Sequence, residues 1–219
     1  MEQLQPRLEA RGLVRQDWKE ARALYTGLGR DGEWAADLEE DAFWQAGEWW
    51  GLYCDRRLIL CCALAAADRQ VLQIRALCGA QKSLALPDHV RPQSYLLPPA
   101  FRPEAAAYAG AFLRFLTQDQ QRPALAALPV KTGGGMLDGY FAAGCCLWAV
   151  RPLLSLRPHY IFLYVGMQNW PECRIMVKEQ ETLALSRTLE EGNAGVGILC
   201  STGGARSICL VPKEFFKKE

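Results

Sequence analysis

Along the first third of the chain, apolar positions switch between two periods. Residues 7–14 (RLEARGLV) alternate as a strand does, and a strand is predicted there. From Trp18 the period lengthens: Trp18, Ala21, Leu24, Tyr25 and Leu28 recur at helical intervals, and Asp17 with Glu20 has the spacing of a capping box. A helix is predicted over about 18–28. GRDG breaks it, and EWAADLEEDAFWQAG reads as a second, acidic amphipathic helix ending near Gly47. WWGLYCDRRLILCCALAAADRQVLQIRALCG then mixes aromatic and branched residues around the polar turns DRR and ADRQ, as an antiparallel meander does.

The middle of the chain reads strand, helix, strand, helix. SYLLP is a short strand, PAFR a loop, and Pro103 a helix start, after which Tyr108, Phe112, Phe115 and Leu116 fall at helical spacing. A strand is expected at 124–130, a Gly-rich loop at TGGG, a short helix at 136–143, and strands at 145–156 and 160–165. Two strand-to-helix units in succession imply a parallel pair inside a mixed sheet, with the strand at Tyr95 beside that at 125–130 and the two diverging at their C-terminal ends. Beyond Gly166, CRIMVKE, TLALSRT, AGVGILCS and RSICLVP all read as short strands, with no further helix before the tail. The expected fold is α/β with a mixed sheet: one domain over 1–166 and a β-rich C-terminal extension, 167–219, packed on it.

Composition narrows the classes. The longest apolar runs fall well short of the roughly 20 residues of a membrane-spanning helix, so no membrane partner is expected. The N-terminus has no apolar stretch behind a basic one, which points to the cytoplasm. A net charge of +1 lacks the basic excess of a nucleic-acid binder, and the basic end PKEFFKKE reads as solvated. The nine cysteines sit largely in apolar runs without a CxxC pair, and read as reduced small hydrophobes with neither disulfide nor metal site. Asp37, Glu39, Glu40 and Asp41 read as a solvated face rather than an amine-attracting one, and Gly133, Gly134 and Gly135 as a turn without the phosphate-loop pattern. Cys145 and Cys146 follow a helix C-terminus, the wrong end of the dipole for a reactive thiolate. Trp49 and Trp50 would allow an aromatic pocket or a homodimer interface, although buried core is the usual fate of such residues.

Over residues 8–165 the order of elements resembles the GNAT N-acetyltransferase superfamily. Two segments carry the resemblance locally. SYLLPPAFRPEAAAYAGAFLRFL is similar to the family's central strand, pyrophosphate loop and helix, whose loop pattern is Arg or Gln, two residues, Gly, one residue, then Gly or Ala; Arg102, Ala105 and Ala107 hold those places, with alanine for the first glycine. MLDGYFAAGCC is similar to the helix that ends in Tyr, three residues, Gly and an aromatic, matched by Tyr140 and Gly144, with Cys145 for the aromatic. The resemblance implies an acyl-CoA N-acyltransferase, acetyl-CoA being the co-substrate and a small-molecule or peptide amine the acceptor. It further implies that backbone at Tyr95, Leu96 and Leu97 holds the pantetheine arm, that the loop at Arg102, Ala105 and Ala107 holds the pyrophosphate, and that Tyr140 is the general acid that protonates the leaving thiolate. Alanine and prolines in the loop suit a second reading, a relative that has lost catalysis and serves as a binding or regulatory module. A third is a structural partner protein using its β-rich C-terminal part.

Overall fold

The computed structural model describes residues 7–28, 33–66, 84–86, 92, 94–117, 124–132, 134–153, 157–164 and 172–217. The N-terminal expectations hold in outline: β1 (Leu8–Gly12), α1 (Trp18–Gly27), then β2 (Glu48–Cys54) and β3 (Arg57–Ala66). Asp17 does not cap α1. Its carboxylate accepts from the Val14 N–H at 2.8 Å and from the Arg11 guanidinium at 2.8 and 3.0 Å, so it ties β1 to the turn instead. The acidic stretch divides into α2 (Glu33–Ala36) and α3 (Glu40–Gln45). The β2–β3 turn is tight, with Asp55 and Arg56 both at positive φ, the geometry of a two-residue hairpin. The ADRQ turn and the strand expected after it lie outside the described residues.

The central units form in the expected order, but Gly134 and Gly135, read as part of a turn, open the helix instead, and Val130–Thr132 forms a 3₁₀ turn. β4 (Ser94–Leu96) runs into β5 (Ala100–Phe101), a 3₁₀ segment over Pro103–Tyr108 and α4 (Ala109–Thr117). β6 (Ala124–Pro129), α5 (Gly134–Ala142), β7 (Cys145–Pro152) and β8 (Pro158–Tyr164) follow. α5 stops at Gly144, whose φ of 90° admits a residue without Cβ far more readily than any other. The C-terminal residues give β9 (Ile175–Lys178), α6 (Thr182–Glu190), β10 (Asn193–Cys200) and β11 (Arg206–Pro212).

TLALSRT is therefore helix, not strand. Its leucines can be read as alternating, but Leu183 is 88 % exposed, whereas Leu185 and Leu189, at i and i+4, are buried. Gly192, at φ 96°, ends the helix. The tail also departs from expectation: it forms a 3₁₀ turn whose Phe216 is buried against the Trp148 ring, 5.4 Å between centroids.

Among the described residues the strands form one sheet in the order β1-β2-β3-β4-β6-β8-β7-β10-β11-β9, with β5 paired to β3 off this path. β4 and β6 are parallel (Tyr95 opposite Leu125); every other pairing is antiparallel. Two apolar clusters cover the two faces. One joins Tyr25 of α1, Phe43 of α3, Trp49, Tyr95, Leu97, Trp148 and Phe216; the other joins Leu96, Phe112 of α4, Tyr140 of α5, Phe162 and Leu185 of α6. β6 is buried throughout, as a strand covered on both sides must be. Trp49 belongs to this core: it stacks on Phe43 at 3.7 Å and donates its indole N–H to the Phe43 carbonyl at 2.6 Å.

Lys213 anchors the tail by donating to the Leu189 carbonyl at 2.8 Å, with its ammonium 4.7 Å from the Trp148 ring centre. Burial pushes its pKa down to about 8. Between about pH 8 and pH 10 the unfolded chain, whose lysine titrates near 10.4, holds the extra proton, so this group makes stability rise with pH across that window. Urea denaturation at pH 7.5 and 9.5 should show that rise diminished in Lys213→Met relative to the parent chain.

Candidate active site

The parallel pair opens where it would have to for a ligand to enter between the strands. Pairing runs only from Ser94–Ala124 to Leu96–Ala126, whereas β6 continues three residues further. The chain leaves through Pro98 and Pro99 to pair with β3 at Ala100 and Phe101. Leu97 is already committed to β3, its N–H donating to the Ala63 carbonyl at 2.9 Å. Beyond Ala126, the β4 side of β6 thus has no strand partner among the described residues.

Tyr140 lies beside this opening. α5 directs it into the sheet face shared with Leu96 and Leu128, where it is fully buried and its ring stacks on Phe162 at 4.6 Å. Its hydroxyl has no hydrogen-bond partner among the described residues. Burial, with Cys62 and Cys145 nearby, pushes the phenol pKa well above its ordinary value. An unsatisfied buried hydroxyl costs on the order of 1–3 kcal/mol, and the Trp44 indole N–H and the Tyr53 hydroxyl are in the same state elsewhere in the chain.

Tyr25 shares the opening, although nothing in its helical spacing marks it as more than a core residue. Its hydroxyl donates to the Pro98 carbonyl at 2.8 Å, at the point where β4 leaves the sheet. Cys145 and Cys146 are buried thiols whose pKa values burial raises, that of Cys146 to about 12, as expected of packing residues rather than nucleophiles. The eight described cysteines are free thiols.

The remaining candidates divide between the two sides. Leu96 and Ala105 face the Tyr140 cluster, whereas Tyr95 and Leu97 face the other. Arg102 is knitted to β3, its backbone N–H donating to Ile59 O at 2.8 Å and its Nε to Leu58 O at 3.1 Å. Ala105 is fully buried, and its N–H donates to Arg102 O at 2.9 Å. Pro103 has no N–H to offer. Ala107 is exposed, in a groove of about 610 Å³ along the α4–α5 contact. That contact is close: a Cβ on Gly139 would stand 2.8 Å from that of Ala109, and one on Gly135 2.8 Å from that of Ala106.

Against a CoA thioester the two ends of the site differ. The buried Tyr140 hydroxyl suits a sulfur leaving group, because it is a proton donor held in dry surroundings without a partner. The loop suits a pyrophosphate less well, since its N–H groups at Arg102 and Ala105 are engaged and Glu104 places a carboxylate there, 3.8 Å from Arg57.

With one parallel pair in the middle, antiparallel strands to either side and an opening after Leu96, the order through β7 is the order of elements that the resemblance implies. The fold is the GNAT fold. No protein-family profile matches the chain, nor does any curated protein. Among solved structures, the chain is similar to an N-acetyltransferase from Staphylococcus aureus Mu50 (12 % identity, 73 % of this chain and 97 % of that one, TM-score 0.48). It is similar also to FeeM, an N-acyl amino acid synthase from uncultured soil microbes (13 %, 74 % and 93 %, 0.47). A third is the ribosomal-protein-S18-alanine N-acetyltransferase of Escherichia coli (11 %, 76 % and 97 %, 0.45). These TM-scores all lie below 0.5, so strand order and the Tyr140 site, not these likenesses, bear on function.

Among the described residues there is no cluster of three metal-ligating side chains and no helix long and apolar enough to cross a membrane.

Proposed function

We propose that this GNAT-fold chain transfers an acyl group, acetyl in the first place, from a CoA thioester to an amine. The observation that carries the reading is the buried, unpartnered Tyr140 hydroxyl beside the gap between β4 and β6. In this role Tyr140 donates its Oη proton to the departing sulfur as the amine attacks the thioester carbonyl: the C–N bond forms, the C–S bond breaks, and the proton shed by the amine nitrogen restores the phenol. The backbone at Tyr95, Leu96 and Leu97 borders the acyl arm, and Arg102, Ala105 and Ala107 border the pyrophosphate.

A second reading, a non-catalytic binding module, is favoured by one observation: the N–H groups of Arg102 and Ala105 are already engaged within the protein. Melting curves separate the two. Acetyl-CoA at about a hundred times its Kd adds roughly 2.7 kcal/mol to a folded state that binds it, a rise on the order of 5–10 °C for a chain of this size. An unmoved melting curve at saturating acetyl-CoA would sink the acyl-CoA reading and leave the binding module.

A further inference from the structure

At the carboxyl end of β6, next to the opening, lies a second cavity of about 440 Å³ that the acyl site does not use. Val130, the residue after β6, forms one wall, and the segment joining β9 to α6 together with the β10–β11 hairpin forms the others. Tyr160 of β8 lines it. That residue is 1 % exposed, its hydroxyl makes no hydrogen bond to a described residue, and the charges on its phenol that matter are those of Glu179 and Arg206, both in the cavity wall. One ring, Phe162, separates it from Tyr140, with centroids 6.3 Å from Tyr160 and 4.6 Å from Tyr140.

The charged groups around Tyr160 are paired with one another. Arg206 is held in one orientation by two carboxylates, its Nε donating to Glu179 at 2.5 Å and its Nη1 to Asp138 at 2.9 Å. Lys178 brings an ammonium that meets Glu181 at 3.6 Å on the outer side. Gln180 and Thr182 complete the wall, and Thr182 is the first residue of α6, whose N-cap residue Glu181 makes no side-chain capping bond. The positive end of a nine-residue helix and a buried phenol O–H therefore border one small space, in whose wall Arg206 and Lys178 are paired with carboxylates. The carboxylate in the wall, Glu179, already accepts from Arg206.

We propose that this cavity binds a carboxylate, that of the amine acceptor, which makes the acceptor an amino acid or a compound that carries its carboxylate near its amine. The site stands on its own geometry; it rests on the acyltransferase reading only in naming the acceptor as the bearer of the anion. The C-terminal elements then have a role: they supply the far end of the acceptor site, while the gap at Tyr140 handles the acyl group.

The test is a titration of the full ¹⁵N-labelled chain with N-acetylglycine, with N-acetylglycinamide and with inorganic phosphate, read as backbone amide shifts. N-acetylglycine should shift amides at 178–183 and 204–206 saturably, and the neutral amide should not. Tyr160→Phe, which keeps the ring contact to Phe162, should weaken N-acetylglycine about 10- to 100-fold, the worth of one hydrogen bond to a charged group, with the melting temperature held. Equal shifts from the amide, tighter binding of phosphate at the same residues, or no shift from N-acetylglycine would each overturn the proposal. N-acetylglycine binding without acetyl transfer from acetyl-CoA to any amino acid would leave the cavity assignment standing and sink the acyltransferase reading. Transfer to amines without that binding would do the reverse.

Discussion

Tyr140→Phe is expected to make the protein more stable and nearly inactive. The hydroxyl is buried without a partner, so deleting it removes a desolvation penalty of about 1–3 kcal/mol, while the ring keeps its stack on Phe162. The same deletion removes the proton donor for the leaving sulfur, a loss of about 10²- to 10⁴-fold in turnover for a general acid. The two effects run in opposite directions, which separates a functional hydroxyl from a structural one. Chemical denaturation and single-turnover acyl transfer measure them side by side. Unchanged turnover in a folded variant would remove Tyr140 from the mechanism; lowered stability would mean that the hydroxyl has a partner in the ground state.

Trp148→Ala is expected to cost about 3–5 kcal/mol, the usual range for deleting a buried indole. Trp148 is 1 % exposed, its indole N–H donates to the Leu84 carbonyl at 2.8 Å, and its ring meets Phe216 at 5.4 Å and the Lys213 ammonium at 4.7 Å. It sits on β7, the strand that joins the GNAT order to β10 and the C-terminal strands. The β7–β10 register consists of one residue pair, Gly195 with Leu147, so side-chain packing rather than a long ladder holds that junction. Hydrogen exchange should show β10, β11 and the tail losing protection before β2 and β3 do. Uniform loss across the sheet would mean that the junction is not the weak point, and a cost below about 1 kcal/mol would mean that the cavity collapses with little penalty.

Much of the architecture could be read from local chemistry. The 3.6-residue spacing from Trp18, the Pro103 helix start and the turn residues between β2 and β3 each specify an element through its own backbone and its own buried face, without reference to distant residues. Two strand-to-helix units then require a parallel pair, and Tyr95 beside Leu125 is that pair. Where a segment satisfies two periods at once, local chemistry does not choose. TLALSRT alternates as well as it spirals, and what decides for helix is that Leu185 and Leu189 find the sheet face while Leu183 finds water. Site chemistry depends still more on tertiary structure. Arg102, Ala105 and Ala107 stand at the loop positions in sequence, yet whether an N–H is available there is settled by β3, which takes that of Arg102, and by the 3₁₀ start, which takes that of Ala105. Tyr25 reaches the Pro98 carbonyl, 73 positions away in the chain, only because α1 packs on the sheet face at the point where β4 leaves it. Hydrophobic pattern determines which residues are buried, since burial answers to each residue's own transfer free energy. Which buried polar atom lacks a partner is a property of the whole packed arrangement, because a hydrogen bond needs its second group brought to within about 3 Å by the fold.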